Sequence, residues 1–447
     1  YYNNTAGDIY YYPTTADGTM NGVDVVYPTT ENIINISGSS RDSMAHNIQF
    51  DGLTVGCTNF PDYYTYGWNA GDAGSSALGY CPPEACFNGK VSTMPSYCEQ
   101  TERIEFQVGI FKLQNTHHIS ILNSHITNAG MFGIEMYMAN DHNTVKNCLI
   151  DNMGHSSINI EGGYPGAGIG GDADGNGYSN NNLIDNCVLC NVGQLVGHGT
   201  GITLNNSGSN EISHLEVYNS PRRGIFITGG PVRSQSGGSA TYPIIDANGK
   251  VIVASAGETY NAMNDLYTHD NHFDYIYMHN CQQDGGDDGA LFTCYLYGWK
   301  GANTTDSKPN YFNQMVIDST GANPTMHDGS PNNINFDMGA NGIVCTDVKS
   351  VNPQNFNCEN SNLGSQVSVE NCNFEFQGPQ NGLGTFDDSR MDYANIGVQT
   401  YRFPSRYASA VTNTKVTEPE DLYFKEDFEQ SIDGTKWSYS GSQPTLT

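Results

Sequence analysis

The phrase Asn-Cys-Leu-Ile-Asp-Asn-Met-Gly at residues 147–154 returns as Asn-Cys-Val-Leu-Cys-Asn-Val-Gly at residues 186–193. Weaker copies run through most of the chain, with Asn at the turns and aliphatic residues alternating between them. This kind of recurrence is typical of a solenoid of stacked parallel strands. The sequence therefore predicts an all-β fold, a right-handed parallel β-helix with inserted loops and hairpins on one side.

The coils can be phased on the aliphatic or aromatic residue that ends each phrase, namely Ile126, Ile150, Leu189, Val217, Met278, Ile317, Val348 and Phe374. The shortest steps run from 24 residues (Ile126 to Ile150) to 31 residues (Ile317 to Val348), about the length of one three-strand coil. Longer steps require insertions at residues 162–181, 229–266 and 295–311. We expect these insertions to form the walls of a cleft, because inserted loops are where function concentrates.

The amino-acid composition limits the classes of partner that the protein can bind. The 447 residues include 18 Lys and Arg against 47 Asp and Glu, a net charge of -29. A surface this acidic repels nucleic acids, anionic membranes and polyanionic substrates, so we expect none of these as partners. A neutral poly- or oligosaccharide fits better, and the expected chemistry requires no cofactor.

The chain divides into three predicted parts: an N-terminal β cap at residues 1–45, a β-helix at 46–400, and a tail at 401–447 that leads into a truncated β-sandwich module. We expect a monomer within a multidomain chain. Cys57, Cys81, Cys86 and Cys98 lie in a loop rich in Gly, Pro and Tyr, where disulfides would replace a core, so a secreted protein is expected. Cysteines that follow the Asn of the repeat are expected to stack inward as small apolar groups; these are Cys148, Cys187 and Cys372.

A second strand follows each phrase and is introduced by Gly or another small residue. The residues before its aliphatic position form a predicted column of changing polarity, from an apolar residue through His155, His198 and the pair Arg222–Arg223 to the acidic cluster. Varied polar residues favour a substrate groove over a structural ladder of one residue type. Turn capping by the same residues is the alternative.

Carboxylates concentrate at the end of this column. Asp284, Asp287 and Asp288 lie within five residues of one another, and Asp328 and Asp337 follow on later coils. Neighbouring carboxylates raise one another's pKa, as a general acid requires. A solvated acidic turn would also explain the cluster. Trp299, in the third insertion, is a further candidate for substrate binding.

A second acidic motif lies in the first insertion. Asp172, Asp174 and Asn176 precede Gly177 with the spacing of the first half of a calcium loop. The twelfth position is Leu183 where a calcium loop has Glu. These residues predict either a structural calcium site or an Asx-rich turn.

Over roughly residues 1 to 400 the chain resembles the β-helix enzymes of carbohydrate metabolism, most closely glycoside hydrolase family 141. The resemblance rests on residues 9–13, 46–54, 197–202, 220–225, 287–291 and 336–337. It implies hydrolysis by two aspartates on separate coils, with activities such as xylan cleavage and fucose removal. The best matches are Asp287 or Asp288 with Asp337, although the doubled Asp and the insertion before Asp337 depart from the family pattern.

Three functions are compatible with these features. The first is a secreted glycoside hydrolase that cleaves plant cell-wall or related complex polysaccharide, either xylan-type or a fucosylated glycan, with His198 and Arg222 binding sugar hydroxyls. The second is a calcium-dependent polysaccharide lyase, which the strong negative charge and the scarcity of Lys disfavour. The third is a non-catalytic glycan-binding β-helix.

Overall fold

The computed structural model describes residues 2–3, 8–9, 26–60, 108–162, 179–197, 199–205, 207–228, 243–245, 251–253, 268–283, 289–294, 309–318, 332–336, 342–351, 356–358, 367–374 and 386–412. Its strands, numbered in chain order, are β1 (Tyr2–Asn3), β2 (Asp8–Ile9), β3 (Ile34–Ser37), β4 (Ala45–Asp51), β5 (Thr54–Gly56), β6 (Gly109–Leu122), β7 (His125–Ala129), β8 (Phe132–Asp141), β9 (Thr144–Lys146), β10 (Leu149–Met153), β11 (Ile158–Glu161), β12 (Ser179–Asn180), β13 (Leu183–Asp185), β14 (Val188–Cys190), β15 (Thr200–Asn205), β16 (Ser207–Gly208), β17 (Glu211–Ser213), β18 (Glu216–Tyr218), β19 (Arg223–Thr228), β20 (Pro243–Ile245), β21 (Val251–Val253), β22 (His272–His279), β23 (Gly289–Cys294), β24 (Asn310–Asp318), β25 (Asn332–Phe336), β26 (Ile343–Ser350), β27 (Phe356–Cys358) and β28 (Val367–Cys372).

Parallel pairing between successive coils makes the chain a right-handed parallel β-helix, as predicted. Three parallel sheets run along it. Sheet A contains β3, the first half of β6, β8, β11, β15, β19, β23, β25 and β27. Sheet B contains β4, β9, β13, β17, β28 and parts of β6, β22, β24 and β26. Sheet C contains β5, β7, β10, β14, β18 and the ends of β22, β24 and β26.

Two strand pairs are antiparallel and lie outside these sheets. β1 pairs with β2 near the N-terminus, and β20 pairs with β21, which confirms the hairpin character of the second insertion. Parallel pairing already includes β3, upstream of the predicted start of the helix near residue 46. Among the described residues no helix is both long and apolar enough to span a membrane.

The predicted phasing is confirmed where the phrase is clearest. Ile150 pairs with Ile126 on one side and Leu189 on the other, and all three are fully buried. Each lies three residues after a turn residue with positive φ, such as Asn147 (φ 56°). The prediction is wrong by two residues at Val348, which pairs with Met315 in place of Ile317. The turn residue there is Asp347 (φ 52°), and the position three residues later is Ser350, which pairs with Ile317, so no aliphatic residue marks the phase.

Asn residues stabilise the corners of the helix. A buried ladder runs along the axis, in which Asn182 donates to Asn210 (3.1 Å), Asn210 to Asn271 (2.7 Å) and Asn271 to Asn310 (2.8 Å). Each amide both donates and accepts, so the ladder satisfies polar groups that burial would otherwise penalise.

Cysteines 148, 187 and 372 are buried and free, which confirms that they stack inward. The thiol of Cys57 is also free, so the disulfide expected at this position is not present; Cys81, Cys86 and Cys98 lie outside the described residues.

A C-terminal strap, residues 386–412, crosses the outside of the helix. It contains two 3-10 helices, Asp388–Arg390 and Ser405–Ala410. Phe403 and Tyr407 pack with Leu149, Val188 and Tyr218 on the outer face of sheet C. The strap continues past the predicted domain boundary at residue 400, and the sandwich module predicted beyond it lies outside the described residues.

Candidate functional site

The outer face of sheet A carries a column of buried polar side chains. In sheet A the aliphatic residues point into the core, as Ile134 pairs with Ile158 and Met136 with Ile160. The residues between them face outward because strand side chains alternate. Glu135 is therefore in register with Asn159, and Tyr137 with Glu161.

These four side chains, Glu135, Tyr137, Asn159 and Glu161, form what we call the sheet A quartet. All four are buried, at no more than 1% exposure, although they lie on the outside of the helix. The Asn159 amide donates to Glu135 Oε2 at 2.8 Å. Glu135 Oε1 and Asn159 Oδ1 have no hydrogen-bond partner among the described residues. Buried polar atoms without partners are expensive in free energy and point to a ligand-binding face.

Glu135 is a carboxyl that holds its proton. Burial raises its pKa to about 8, and the hydrogen bond from Asn159 and the charge of Lys112 oppose this only partly. Lys112 pairs with Glu135 in register on the preceding coil, and burial lowers the pKa of its ammonium group. At neutral pH Glu135 is therefore a neutral carboxylic acid, able to donate a proton.

The two carboxyls of the quartet are diagonal neighbours. Glu161 lies one coil further along the axis and two residues further along the strand than Glu135. The strand spacing and rise put their Cα atoms roughly 8 Å apart. Carboxyl groups at such positions can reach the separations used in glycoside hydrolysis, about 5 to 9.5 Å.

The three predicted insertions leave sheet A from the same edge. The described strands before them, β11, β19 and β23, end at Glu161, Thr228 and Cys294 in corresponding positions of the sheet. Most residues of the insertions lie outside the described residues, so the cleft walls stay a prediction. The predicted placement of the insertions on one side is thus consistent with the strands that bound them.

His155 is buried and lies three residues before β11 begins. Its Nδ1 is 2.7 Å from Ser156 Oγ and its ring lies 4.9 Å from the Phe132 ring. Burial lowers its pKa to about 3, with the charge of Arg223 adding to the effect. His155 is therefore a neutral hydrogen-bonding group over the working pH range and does not serve as a general acid.

Arg222 and Arg223 are also buried, at 1% and 6% exposure. The guanidinium of Arg223 lies over the rings of Phe226 and Phe292, 4.1 and 4.4 Å from their centroids. Contacts of this kind contribute about 0.5 to 2 kcal/mol and hold the cation over the outer face of sheet A. The guanidinium of Arg223 is therefore packed against two aromatic rings, and its predicted role in substrate binding stays a prediction.

The register refines the predicted column. His155 and Arg222 each lie three residues before an aligned aliphatic, Ile158 and Ile225, and Gly199 takes this position before Ile202. His198, which was expected in the column, precedes that position by one residue and lies outside the described residues. Small residues introduce the strands because a Cβ at Gly133 would come within 2.7 Å of Ile150 Cγ2.

The remaining predicted site residues lie outside the described residues, so they stay predictions: Asp172, Asp174, Asn176, Asp284, Asp287, Asp288, Trp299, Asp328 and Asp337. Their described neighbours give one restraint. Phe336 precedes Asp337 and pairs with Thr293 on the neighbouring strand. Gly289 follows Asp288 and lies four residues before Thr293 on the same strand. That separation is about 13 Å at the rise of a strand.

Comparison with known proteins supports the fold. A family model described as a right-handed β-helix region matches residues 98–235. A solved structure named glycoside hydrolase aligns with a TM-score of 0.52 and 14% identity, covering 84% of this chain and 54% of its own. The enzymatically active domain of bacteriophage CBA120 tailspike protein 2 aligns with a TM-score of 0.33 and 13% identity, covering 78% of this chain and 46% of its own. Among curated proteins, no sequence matches this chain. The chain spans about half the length of either structure, and the alignment with the glycoside hydrolase structure, at 14% identity, supports the fold alone.

Proposed function

We propose that this β-helix is a glycoside hydrolase that acts on a neutral complex polysaccharide, similar to glycoside hydrolase family 141 and active on a xylan-type or fucosylated glycan. The observation that carries the proposal is Glu135, a protonated carboxyl diagonal to Glu161 on a face with unsatisfied polar atoms. Net charge supports a neutral substrate, since an anionic polymer would be repelled.

In this mechanism Glu135 donates its proton to the glycosidic oxygen as the bond to the anomeric carbon breaks. Glu161 serves as the second carboxyl group, as nucleophile or as the base that activates water. Asn159 holds the acid through the 2.8 Å hydrogen bond and offers Oδ1 to a sugar hydroxyl. Lys112 lies beside the acid, where a positive charge stabilises the carboxylate that remains after proton transfer.

An assay on xylan, fucosylated glycans and pectate, with products analysed by mass, tests the proposal. Release of reducing sugar that Glu135→Gln and Glu161→Gln each reduce by orders of magnitude supports the quartet. Glu211→Gln, an exposed glutamate on sheet B, is the matched control and should keep wild-type turnover. Full activity in both quartet variants would exclude the quartet as the catalytic site.

One observation favours a polysaccharide lyase as the second function. Burial lowers the pKa of Lys112, which is a property of a lysine that removes a proton. A lyase would release an unsaturated product that absorbs in the ultraviolet, and Lys112→Met would abolish it. Calcium at Asp172, Asp174 and Asn176 belongs to this alternative or to a structural role, and chelation followed by metal analysis and melting tests it.

Secretion is likewise proposed, on Cys81, Cys86 and Cys98 of the 57–98 loop, since the Cys57 thiol is free. Mass analysis of alkylated protein purified from an oxidising compartment would count the disulfides. Four free thiols in that loop would remove the basis of this proposal.

A further inference from the structure

An exposed cluster of histidines lies at the corner between sheets A and B, apart from the quartet. It contains His46 on β4, His117 and His118 on β6, and His142 directly after β8. Their rings touch in sequence: 4.6 Å between the centroids of His46 and His117, 5.1 Å between His117 and His118, and 5.3 Å between His118 and His142. We call this cluster the histidine corner; neither the fold nor the proposed reaction requires it.

Two ring nitrogens of the corner converge. His117 Nδ1 and His118 Nδ1 are 2.8 Å apart, so one donates and the other accepts. Two nitrogens bound tetrahedrally to zinc at 2.0 to 2.1 Å lie about 3.3 Å apart. If the two rings move apart by about 0.5 Å, the space between the nitrogens fits a metal ion in place of the shared proton.

His142 is the candidate third ligand, and its side chain must rotate to reach the converging pair. Its Nδ1 lies 2.9 Å from Asp141 Oδ2, and its side chain is 53% exposed. Metal-binding histidines commonly donate one ring N–H to a carboxylate, which leaves the other nitrogen for the metal. Asp141 is in register with His117, so this carboxylate also places negative charge beside the converging pair.

The backbone fixes the positions of two of the histidines. His118 and His142 both occupy left-handed turn positions, with φ of 53°. Neutral imidazole is the form that binds Zn²⁺, Ni²⁺ and Cu²⁺.

We propose that the histidine corner binds one divalent transition-metal ion through His117 Nδ1 and His118 Nδ1, with His142 completing the site after rotation of its side chain. In the part of the chain that the structure describes, no three potential ligands already converge on one point. The ion would link β6 to the next coil and so stabilise the N-terminal end of the helix. This inference does not depend on the proposed hydrolase activity.

The test uses Zn²⁺ alone, titrated calorimetrically into the chelator-treated protein. We expect one bound ion per chain and a higher melting temperature with Zn²⁺, both lost in the double variant His117→Asn/His118→Asn. Asn tolerates the left-handed turn at position 118, and circular dichroism confirms folding of the variant.

Two further variants sharpen the test. Asp141→Asn should weaken Zn²⁺ affinity roughly 10- to 100-fold, because it removes the carboxylate that orients His142. His272→Asn removes a half-exposed histidine elsewhere on the surface and should change nothing. Failure of the wild type to bind Zn²⁺, or equal binding by the double variant, overturns the proposal.

Discussion

Glu135→Gln should lower activity and should reduce the loss of stability that the wild type undergoes as the pH rises from 5 to 8. The carboxyl has its ordinary pKa of about 4.5 in the unfolded chain and a pKa of about 8 in the folded protein. Between these values the unfolded chain has released the proton and the folded chain still holds it. The contribution of this group to stability is therefore complete below pH 4.5 and is lost as the pH rises through 8.

The magnitude follows from the same two values. Ionisation of Glu135 lowers the free energy of unfolding of the wild type by about 3 to 4 kcal/mol between pH 5 and pH 8, an order-of-magnitude figure. Gln cannot ionise, so Glu135→Gln lacks this dependence. Its amide brings a pH-independent cost of about 1 to 3 kcal/mol from unsatisfied donors, which cancels when the two pH values are compared.

The assay is urea unfolding of wild type, Glu135→Gln and the control Glu211→Gln at pH 5 and pH 8, with turnover measured alongside. We expect the wild type and the control to lose stability with pH by the same amount, and Glu135→Gln to lose about 3 to 4 kcal/mol less. Equal pH dependence in all three proteins would refute the raised pKa. Normal turnover of Glu135→Gln would refute its role as the acid.

Asp185→Asn should cost about 3 to 5 kcal/mol, because the buried carboxylate accepts from Lys146 (2.9 Å) and Arg402 (2.8 Å) and the variant leaves both cations without their partner. Burial alone would raise the pKa of Asp185, but these groups and His214 lower it, so wild-type stability should fall with pH below about 3.8 and that of the variant should not. Thr412→Val should destabilise the strap by about 1 to 3 kcal/mol, since it removes the Thr412 hydroxyl hydrogen bond to the buried Glu216 carboxylate, and limited proteolysis would detect the loosened end. Asp337→Asn should lower turnover by orders of magnitude if the sequence-based pair is catalytic, and turnover equal to wild type would leave the quartet as the site.

The fold could be predicted because its determinants are local. A turn residue with positive φ, then an inward residue, then an aliphatic three positions after the turn residue recurs in most of the described coils, and Asn147 with Ile150 is the clearest case. The phase failed at Val348 because Ser350, in place of an aliphatic residue, lies three positions after the turn residue Asp347. Asp also adopts the left-handed conformation, so the rule is a backbone rule and the residue type is only its commonest expression.

The strap could not be predicted from the sequence in the same way. Its residues Phe403 and Tyr407 carry no repeat, and they find their partners across more than 180 residues of chain, as in the hydrogen bond from Tyr218 Oη to the Ala410 carbonyl at 3.0 Å. Contacts this distant depend on the assembled surface of sheet C. Apolar residues in a tail indicate that the tail packs on a surface of the protein, but they do not identify which sheet it covers.

The quartet was missed for a physical reason that also explains the column that was chosen. Polar residues three positions before each core aliphatic residue stand out in the sequence. In the structure these positions lie just before the strands of sheet A, where the side chains of His155 and Arg222 are buried. Glu135 and Glu161 look like ordinary outward positions of an alternating strand, which are usually solvated. Only the register between coils shows that Glu135 is beside Asn159 and one diagonal step from Glu161. A polar residue between two core aliphatic residues is ordinary on one strand. Successive coils that each place such a residue on a buried outer face make a column, and only the paired strands reveal it.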